Sequence, residues 1–138
     1  MGLPQPLEAR LYYRAGRQRF DDAQLLLRAD RTTGAIYLAG YTVECFLKAL
    51  VLASVPSGTR RQVLREFRGQ RGHDIEWLGA LYRRHAGASI PAAVTRYLAR
   101  MASWSTDLRY VTGAFKSEEA EQFMETVVAI VTWADGRM

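Results

Sequence analysis

Glu44 and Lys48 are opposite charges set four residues apart inside the longest apolar stretch of the chain, residues 35–53. In a helix this spacing places both side chains on one face, in the order that favours an ion pair. Charges in an apolar helix are costly unless they are paired. The pair therefore either belongs to a polar ligand cleft, or fixes the packing of the helix while Lys48 extends to the surface.

His73 and Asp74 are neighbours at the predicted start of a later helix. Histidine can transfer protons near pH 7, so the two residues are a candidate acid–base pair. The same two residues also suit a plain helix start, in which Asp74 caps the free backbone N–H groups and His73 makes local hydrogen bonds.

Arg109 and Tyr110 form a second candidate site, in which the guanidinium binds a phosphate and the phenol ring stacks on a base. The alternative is structural. Arg109 would then bind the carbonyl groups at a helix end, and Tyr110 would pack on the core.

Residues 59–72 form the most basic part of a chain whose formal net charge is +5. Glu66 is the only acid among them. A run of this kind is either a nucleic-acid patch or a solvated loop without a partner. Phe67 is the only aromatic residue of the segment, which gives little support for stacking on bases. The candidate patch consists of Arg60, Arg61, Arg65, Arg68 and Arg71.

The sequence has few of the residues that bind metals or cofactors. The chain has two histidines, His73 and His85, and a single cysteine, Cys45, so neither a disulfide within the chain nor a cysteine-rich metal site can form. Glycine-rich phosphate-binding loops are also missing from the sequence. We expect no metal and no cofactor.

The elements that must position these residues are helices. Apolar residues recur at three- and four-residue steps, and no segment alternates apolar and polar residues as a strand does. The 138 residues suffice for one core, so we predict one all-α domain over residues 1–138, an antiparallel bundle of four to five helices. The predicted helices cover residues 6–29, 34–54, 73–85, 91–104 and 117–135, with a shorter helical piece near Val63 and a loop or irregular helix over 105–116.

Residues 35–53 are long enough to cross a membrane. Glu44 and Lys48 in their middle would each cost roughly 2.5–3.5 kcal/mol in lipid. We therefore expect this segment to be the central helix of a soluble, cytoplasmic bundle without membrane contact. The first eleven residues lack the apolar run of a signal peptide.

Three stretches together resemble the HEPN family, the higher-eukaryote and prokaryote nucleotide-binding domain. Residues 34–50, GAIYLAGYTVECFLKAL, are similar to its central helix with Glu-x-x-x-Lys-Ala; residues 72–75, GHDI, are similar to its His-Asp-Leu helix opening. Leu108-Arg109-Tyr110, followed by residues 117–120, resembles the Arg-Tyr step before the family's last helix.

The resemblance implies a helical bundle that often forms homodimers and works around nucleic acid. Many members cleave RNA, others pair with a nucleotidyltransferase, and others bind or scaffold. The nuclease branch carries Arg, four to six residues, then His near its last helix, but no histidine follows Arg109. The one Arg-x4-His spacing, Arg68 to His73, lies elsewhere in the chain.

Three hypotheses follow from these residues and this resemblance. The first is a non-catalytic module of a bacterial toxin–antitoxin-like system that binds RNA, a nucleotide or a nucleotidyltransferase-type partner through Glu44, Lys48, Asp74, Arg109 and Tyr110. The second is a metal-independent ribonuclease that uses Arg109 and His73. The third is a helical dimeric scaffold without a nucleic-acid role.

Overall fold

A computed structural model of the protein describes residues 3–138, and the described chain is helical throughout, with no strand. Four short 3₁₀ turns cover Ser57–Thr59, Gln70–His73, Met101–Ser103 and Thr106–Tyr110. The predicted all-α bundle is confirmed, and the helical piece near Val63 is a sixth α-helix. The α-helices are α1 (Leu7–Arg28), α2 (Thr32–Ser54), α3 (Arg60–Glu66), α4 (Ile75–Ala86), α5 (Ala92–Arg100) and α6 (Ser117–Asp135).

Helices α1 and α2 form a tightly packed antiparallel hairpin. The turn between them needs a left-handed residue, and Asp30 takes this conformation with φ 61°. On the inner face of α1, small residues recur every seventh position, at Ala9, Gly16 and Ala23, and all three are buried. A Cβ on Gly16 would lie 2.8 Å from the Phe46 ring. The small residues therefore allow the two helix backbones to approach closely.

Helix α2 is the centre of the bundle and is packed against α1, α4 and α6. Phe46, Leu47 and Val43 are all fully buried. The helix is long and apolar enough to cross a membrane by composition, with a mean hydropathy of 1.5 in its most apolar window. However, 78% of that window is buried inside the protein. This burial is what the central helix of a bundle requires.

The predicted start of α2 at Gly34 is wrong by two residues, because Thr32 and Thr33 already belong to its first turn. Their hydroxyl groups do not cap the helix. The Thr32 hydroxyl donates to the carbonyl of Phe115 at 2.8 Å, and that of Thr33 donates to the carbonyl of Gly113 at 2.6 Å. A tertiary contact thus uses two hydroxyl groups of a kind that often caps a helix start.

The segment between α5 and α6 wraps over the start of α2. Met101 and Trp104 point into the core, with 0% and 5% exposure. Trp104 lies directly on α2, where its indole N–H donates to the Tyr37 carbonyl at 3.1 Å. A Cβ on Gly40 would lie only 1.9 Å from that indole nitrogen, so α2 needs glycine at this position. The docked tryptophan in turn positions the 3₁₀ turn that carries Arg109.

Candidate functional site

Glu44 is a buried carboxylate that binds two basic side chains at once. It lies on α2 with 4% exposure. One carboxylate oxygen, Oε2, is 2.9 Å from Lys48 Nζ, and the other, Oε1, is 2.9 Å from His73 Nδ1. The predicted ion pair within α2 is present, and a histidine 29 residues away joins it.

Lys48 does not extend to the surface, so that part of the structural interpretation is wrong. Its side chain is 7% exposed. The ammonium group lies 5.5 Å from the ring centre of Tyr12 and 5.4 Å from that of Phe67. Two aromatic faces and one carboxylate therefore enclose the cation, an arrangement that stabilises a charge removed from water. Lys48 supports Glu44 from inside the protein.

His73 ends the 3₁₀ turn Gln70–His73, and its side chain is 39% exposed. An ionised carboxylate can only accept hydrogen bonds, so the bond to Glu44 places the ring proton on Nδ1. In the neutral imidazole this bond leaves Nε2, at the far side of the ring, with the lone pair. Glu44 therefore orients His73 in a tautomer suited to accepting a proton.

Asp74 is not the partner of His73. Its carboxylate accepts hydrogen bonds from the backbone N–H groups of Glu76 and Trp77, at 3.0 and 3.2 Å, and caps α4. The acid–base pair of His73 with Asp74 is therefore wrong, and the capping interpretation of Asp74 is confirmed. The prediction that His73 bonds locally is also wrong, since it bonds to α2.

Tyr41, which was not predicted as a site residue, lies against His73 and beside Trp104, the residue that docks the Arg109 turn on α2. Its ring meets His73 edge to face, with 6.1 Å between centroids, and meets Trp104 at 5.2 Å. Its hydroxyl shares a hydrogen bond of 3.3 Å with that of Tyr37. Burial raises the pKa of the Tyr41 phenol, the bond to Tyr37 adds to the increase, and the charge of Arg109 opposes it. Tyr41 is therefore a protonated phenol near neutral pH.

Arg109 and Tyr110 both lie on the surface of the 3₁₀ turn Thr106–Tyr110. The alternative in which Tyr110 packs on the core is wrong, because Tyr110 is 72% exposed. The Arg109 guanidinium stacks 5.0 Å from the Tyr110 ring centre. Arg109 lines a groove together with Tyr37 of α2, the hydrogen-bond partner of Tyr41.

An open groove of about 460 Å³ begins beside Arg109 and follows the start of α2. One wall is formed by Arg31, between α1 and α2, and by Tyr37 of α2. Side chains from residues 108–114 form the opposite wall. The hydrogen bonds of Thr32 and Thr33 to residues 113–115 hold that wall in place. The groove carries two guanidinium groups, a phenol and the carboxylate of Asp30, which accepts a hydrogen bond from the Ser117 hydroxyl at 3.2 Å.

The arginine segment forms α3 and the 3₁₀ turns on either side of it. The arginines of this segment are exposed, except Arg60, which is half-buried. Glu66, its one acid, binds Arg84 of α4 at 3.2 Å. Arg71 stacks on Trp77, with 5.0 Å from the guanidinium carbon to the ring centre. The fold thus adds a cation and an aromatic ring that the sequence of the segment does not show.

The structure places His73 against Tyr41 and puts Arg109 in one groove with Tyr37, the hydrogen-bond partner of Tyr41. The arginine segment is joined to His73 through the chain itself. Asp74 and Lys48 are occupied within the protein. Tyr37 and Tyr41 had a sequence signal in hindsight, since they precede Glu44 at four- and three-residue steps on an otherwise apolar helix. Among residues 3–138, no three of His, Cys, Asp and Glu are grouped as metal ligands would be.

A family model, HEPN domain, matches residues 9–137, nearly the whole chain. The chain belongs to the HEPN family. No curated protein and no solved structure matches significantly. As a HEPN domain the chain carries Glu44 and Lys48 on its central helix, but its site histidine comes from the turn before α4. That histidine does not follow Arg109, as the nuclease pattern of the resemblance would require.

Proposed function

We propose that this HEPN domain is a binding module for single-stranded RNA. The observation that carries the proposal is that Tyr41 contacts His73 and shares a hydrogen bond with Tyr37, which lines the same groove as Arg109. His73 continues the exposed arginine segment, and Arg109 continues into the groove with Arg31. In the proposed complex the phosphodiester backbone runs from the arginine segment to the groove, because basic side chains that neutralise phosphates supply most of the affinity for nucleic acid.

Tyr110 supports single-stranded RNA over a duplex. Its ring is largely exposed and already holds Arg109 on one face. An unpaired base can stack on such a ring, and replacing the ring with alanine typically costs about 1–3 kcal/mol of binding free energy per stacked base. The bases of a duplex are stacked on each other and do not offer this face.

The binding experiment uses fluorescence anisotropy with a labelled single-stranded RNA at several salt concentrations. With about four phosphate contacts, the logarithm of the association constant should fall with a slope of roughly −3 against the logarithm of salt concentration. Arg109→Ala and Tyr110→Ala should each weaken binding about 10-fold, and Arg68→Ala should reduce the slope by about 1. Arg96→Ala, an exposed arginine on α5, is the matched control. Absence of binding at low salt would leave the scaffold hypothesis in its place.

RNA cleavage is a second candidate, and the Glu44–His73 hydrogen bond is the observation that favours it. In this reaction His73 Nε2 would take the proton from a ribose 2′-hydroxyl, whose oxygen attacks the adjacent phosphorus. The bond to the 5′-oxygen breaks, that oxygen takes a proton from water, and a 2′,3′-cyclic phosphate remains. Arg109 would stabilise the charge on the phosphoryl oxygens.

A cleavage assay separates the two candidates. Mixed RNA is incubated with the wild-type protein at low salt and with EDTA present, beside His73→Ala and Arg109→Ala. Cleavage by the wild type that both variants lose would support the ribonuclease. Unchanged RNA in all samples, together with tight binding, would support the non-catalytic module.

We also propose, on the family resemblance alone, a cytoplasmic protein that works with a nucleotidyltransferase-type partner in a bacterial toxin–antitoxin-like pair. Co-purification with a nucleotidyltransferase encoded beside it would support this partner. Separate elution of the two co-expressed proteins would refute it.

A further inference from the structure

Arg71 is an exposed arginine whose guanidinium group is held in place by two contacts. The guanidinium carbon lies 5.0 Å from the ring centre of Trp77, and the Nε–H donates to the carbonyl of Glu66 at 3.3 Å. An exposed arginine without such contacts samples many rotamers, and ordering it on binding costs entropy. Among residues 3–138, Arg71 forms no ion pair with an acid, so its charge is available to a ligand.

The backbone around Arg71 has a conformation that requires glycine on both sides. Gly69 has a φ of 84°, which other residues rarely adopt. A Cβ on Gly72 would overlap the carbonyl oxygen of Phe67. The N–H of Gly72 donates to the carbonyl of Gly69 at 3.2 Å and closes the turn Gln70–His73. The two glycines therefore fix the point at which Arg71 leaves the backbone.

Trp77 supports the guanidinium group from the protein side. Its ring is half-buried and packs against the core, whereas Arg71 is exposed. One face of the flat guanidinium group lies on the indole, so the opposite face is the one that a ligand can reach. An unpaired base stacks well on a guanidinium plane. The order is reversed at Arg109, where the ring of Tyr110 is itself 72% exposed.

We propose that Arg71 and Trp77 form a stacking platform for one unpaired base, with the guanidinium group between the base and the indole. The proposal rests on the RNA binding proposed above and names what the arginine segment recognises besides phosphate. Within the described chain, Arg61, Arg65 and Arg68 are also exposed but stack on no aromatic ring. Those three arginines contribute charge, and Arg71 contributes charge and a flat surface.

Arginine-to-lysine substitution separates the flat surface from the charge. Lysine keeps the positive charge but cannot stack between two rings. Fluorescence anisotropy with a labelled uridine oligonucleotide should show that Arg71→Lys weakens binding roughly 10-fold. The slope of the salt dependence should stay the same, because the number of cations is unchanged. Arg68→Lys, in the same exposed segment, is the matched control and should change the affinity by less than about 2-fold.

An abasic oligonucleotide of the same length separates the base from the phosphates. It carries every phosphate of the uridine probe but no base, so Arg71→Lys and the wild type should bind it about equally. Trp77→Leu should weaken binding of the uridine probe roughly 5- to 10-fold, and Trp77→Phe should keep most of the affinity, because a ring still supports the guanidinium group. Thermal unfolding followed by circular dichroism confirms that the variants are folded.

The outcomes distinguish the platform from RNA binding as such. Equal losses for Arg71→Lys and Arg68→Lys, or an equal loss for Arg71→Lys on the uridine and abasic probes, would overturn the platform. The platform alone also fails if the wild type binds the uridine probe and Arg71→Lys binds it as tightly. Absence of wild-type binding to the uridine probe at low salt would refute the RNA-binding proposal, and the platform with it.

Discussion

Replacing Glu44 with glutamine tests whether this buried carboxylate is the element that balances the charge of Lys48. The substitution keeps the size of the side chain and removes its charge. Lys48 then remains as an ammonium group, 7% exposed, beside the rings of Tyr12 and Phe67 and without the negative charge that balanced it. Removing one partner of a buried pair typically costs about 3–5 kcal/mol.

The expected loss is near the lower end of that range, about 3 kcal/mol. The two rings keep their attraction for the cation in the variant, and the amide oxygen of glutamine can still accept a hydrogen bond from Lys48. Urea unfolding followed by far-ultraviolet circular dichroism at pH 7 measures this free energy of unfolding. The melting temperature should fall by about 10 °C for a chain of this length.

The control and the compensating variant complete the test. Glu121→Gln, an exposed acid on α6, should change the free energy of unfolding by less than about 0.5 kcal/mol. Glu44→Gln combined with Lys48→Met should be more stable than Glu44→Gln alone, because no unbalanced charge remains inside. A loss below about 1 kcal/mol for Glu44→Gln, or strictly additive losses in the double variant, would refute the reasoning.

Three further predictions concern the surroundings of the site. Gly40→Ala should cost about 1–3 kcal/mol or more and alter tryptophan fluorescence, because the new methyl group would displace Trp104; a spectrum and melting temperature like the wild type's would contradict this. Burial, with repulsion from Glu44, raises the pKa of the Cys45 thiol from its ordinary value of 9.0 to about 11. As the pH rises, the unfolded chain therefore loses the thiol proton before the folded chain does, and the folded state becomes less stable. Between about pH 9 and 11 the wild type should lose roughly 2–3 kcal/mol of unfolding free energy relative to Cys45→Ala. Urea unfolding of both proteins across that range measures the difference. Asp74→Ala should cost about 1 kcal/mol through loss of the α4 cap, whereas Asp74→Asn should keep most of it.

The helices could be predicted from apolar periodicity because burial follows a regular pattern along each of them. The central position of α2 followed from apolar residues around its whole circumference, and Phe46 and Leu47 are indeed fully buried. The start of α2 could not be predicted, because Thr32 and Thr33 have equal capacity to cap a helix or to bind a distant carbonyl. Only the packed chain decides between these uses.

The candidate site was predictable where its contacts are local. The spacing of Glu44 and Lys48 predicted their ion pair, and Asp74 was recognisable as a cap. The contact of His73 with Glu44 spans 29 residues and has no local signal. Burial of Lys48 depends on rings from α1 and from the end of α3, which the sequence of α2 does not reveal.

The two threonine hydroxyls at the start of α2 bind backbone 83 and 80 residues further along the chain. Closing loops of that length carries a large entropic cost, so such contacts form late compared with those of a helical hairpin. We therefore expect the acid and the lysine of α2 to come together before the turn that carries Arg109 docks on the start of α2. Any affinity that needs both halves is acquired as a final step, once the segment through Phe115 has docked.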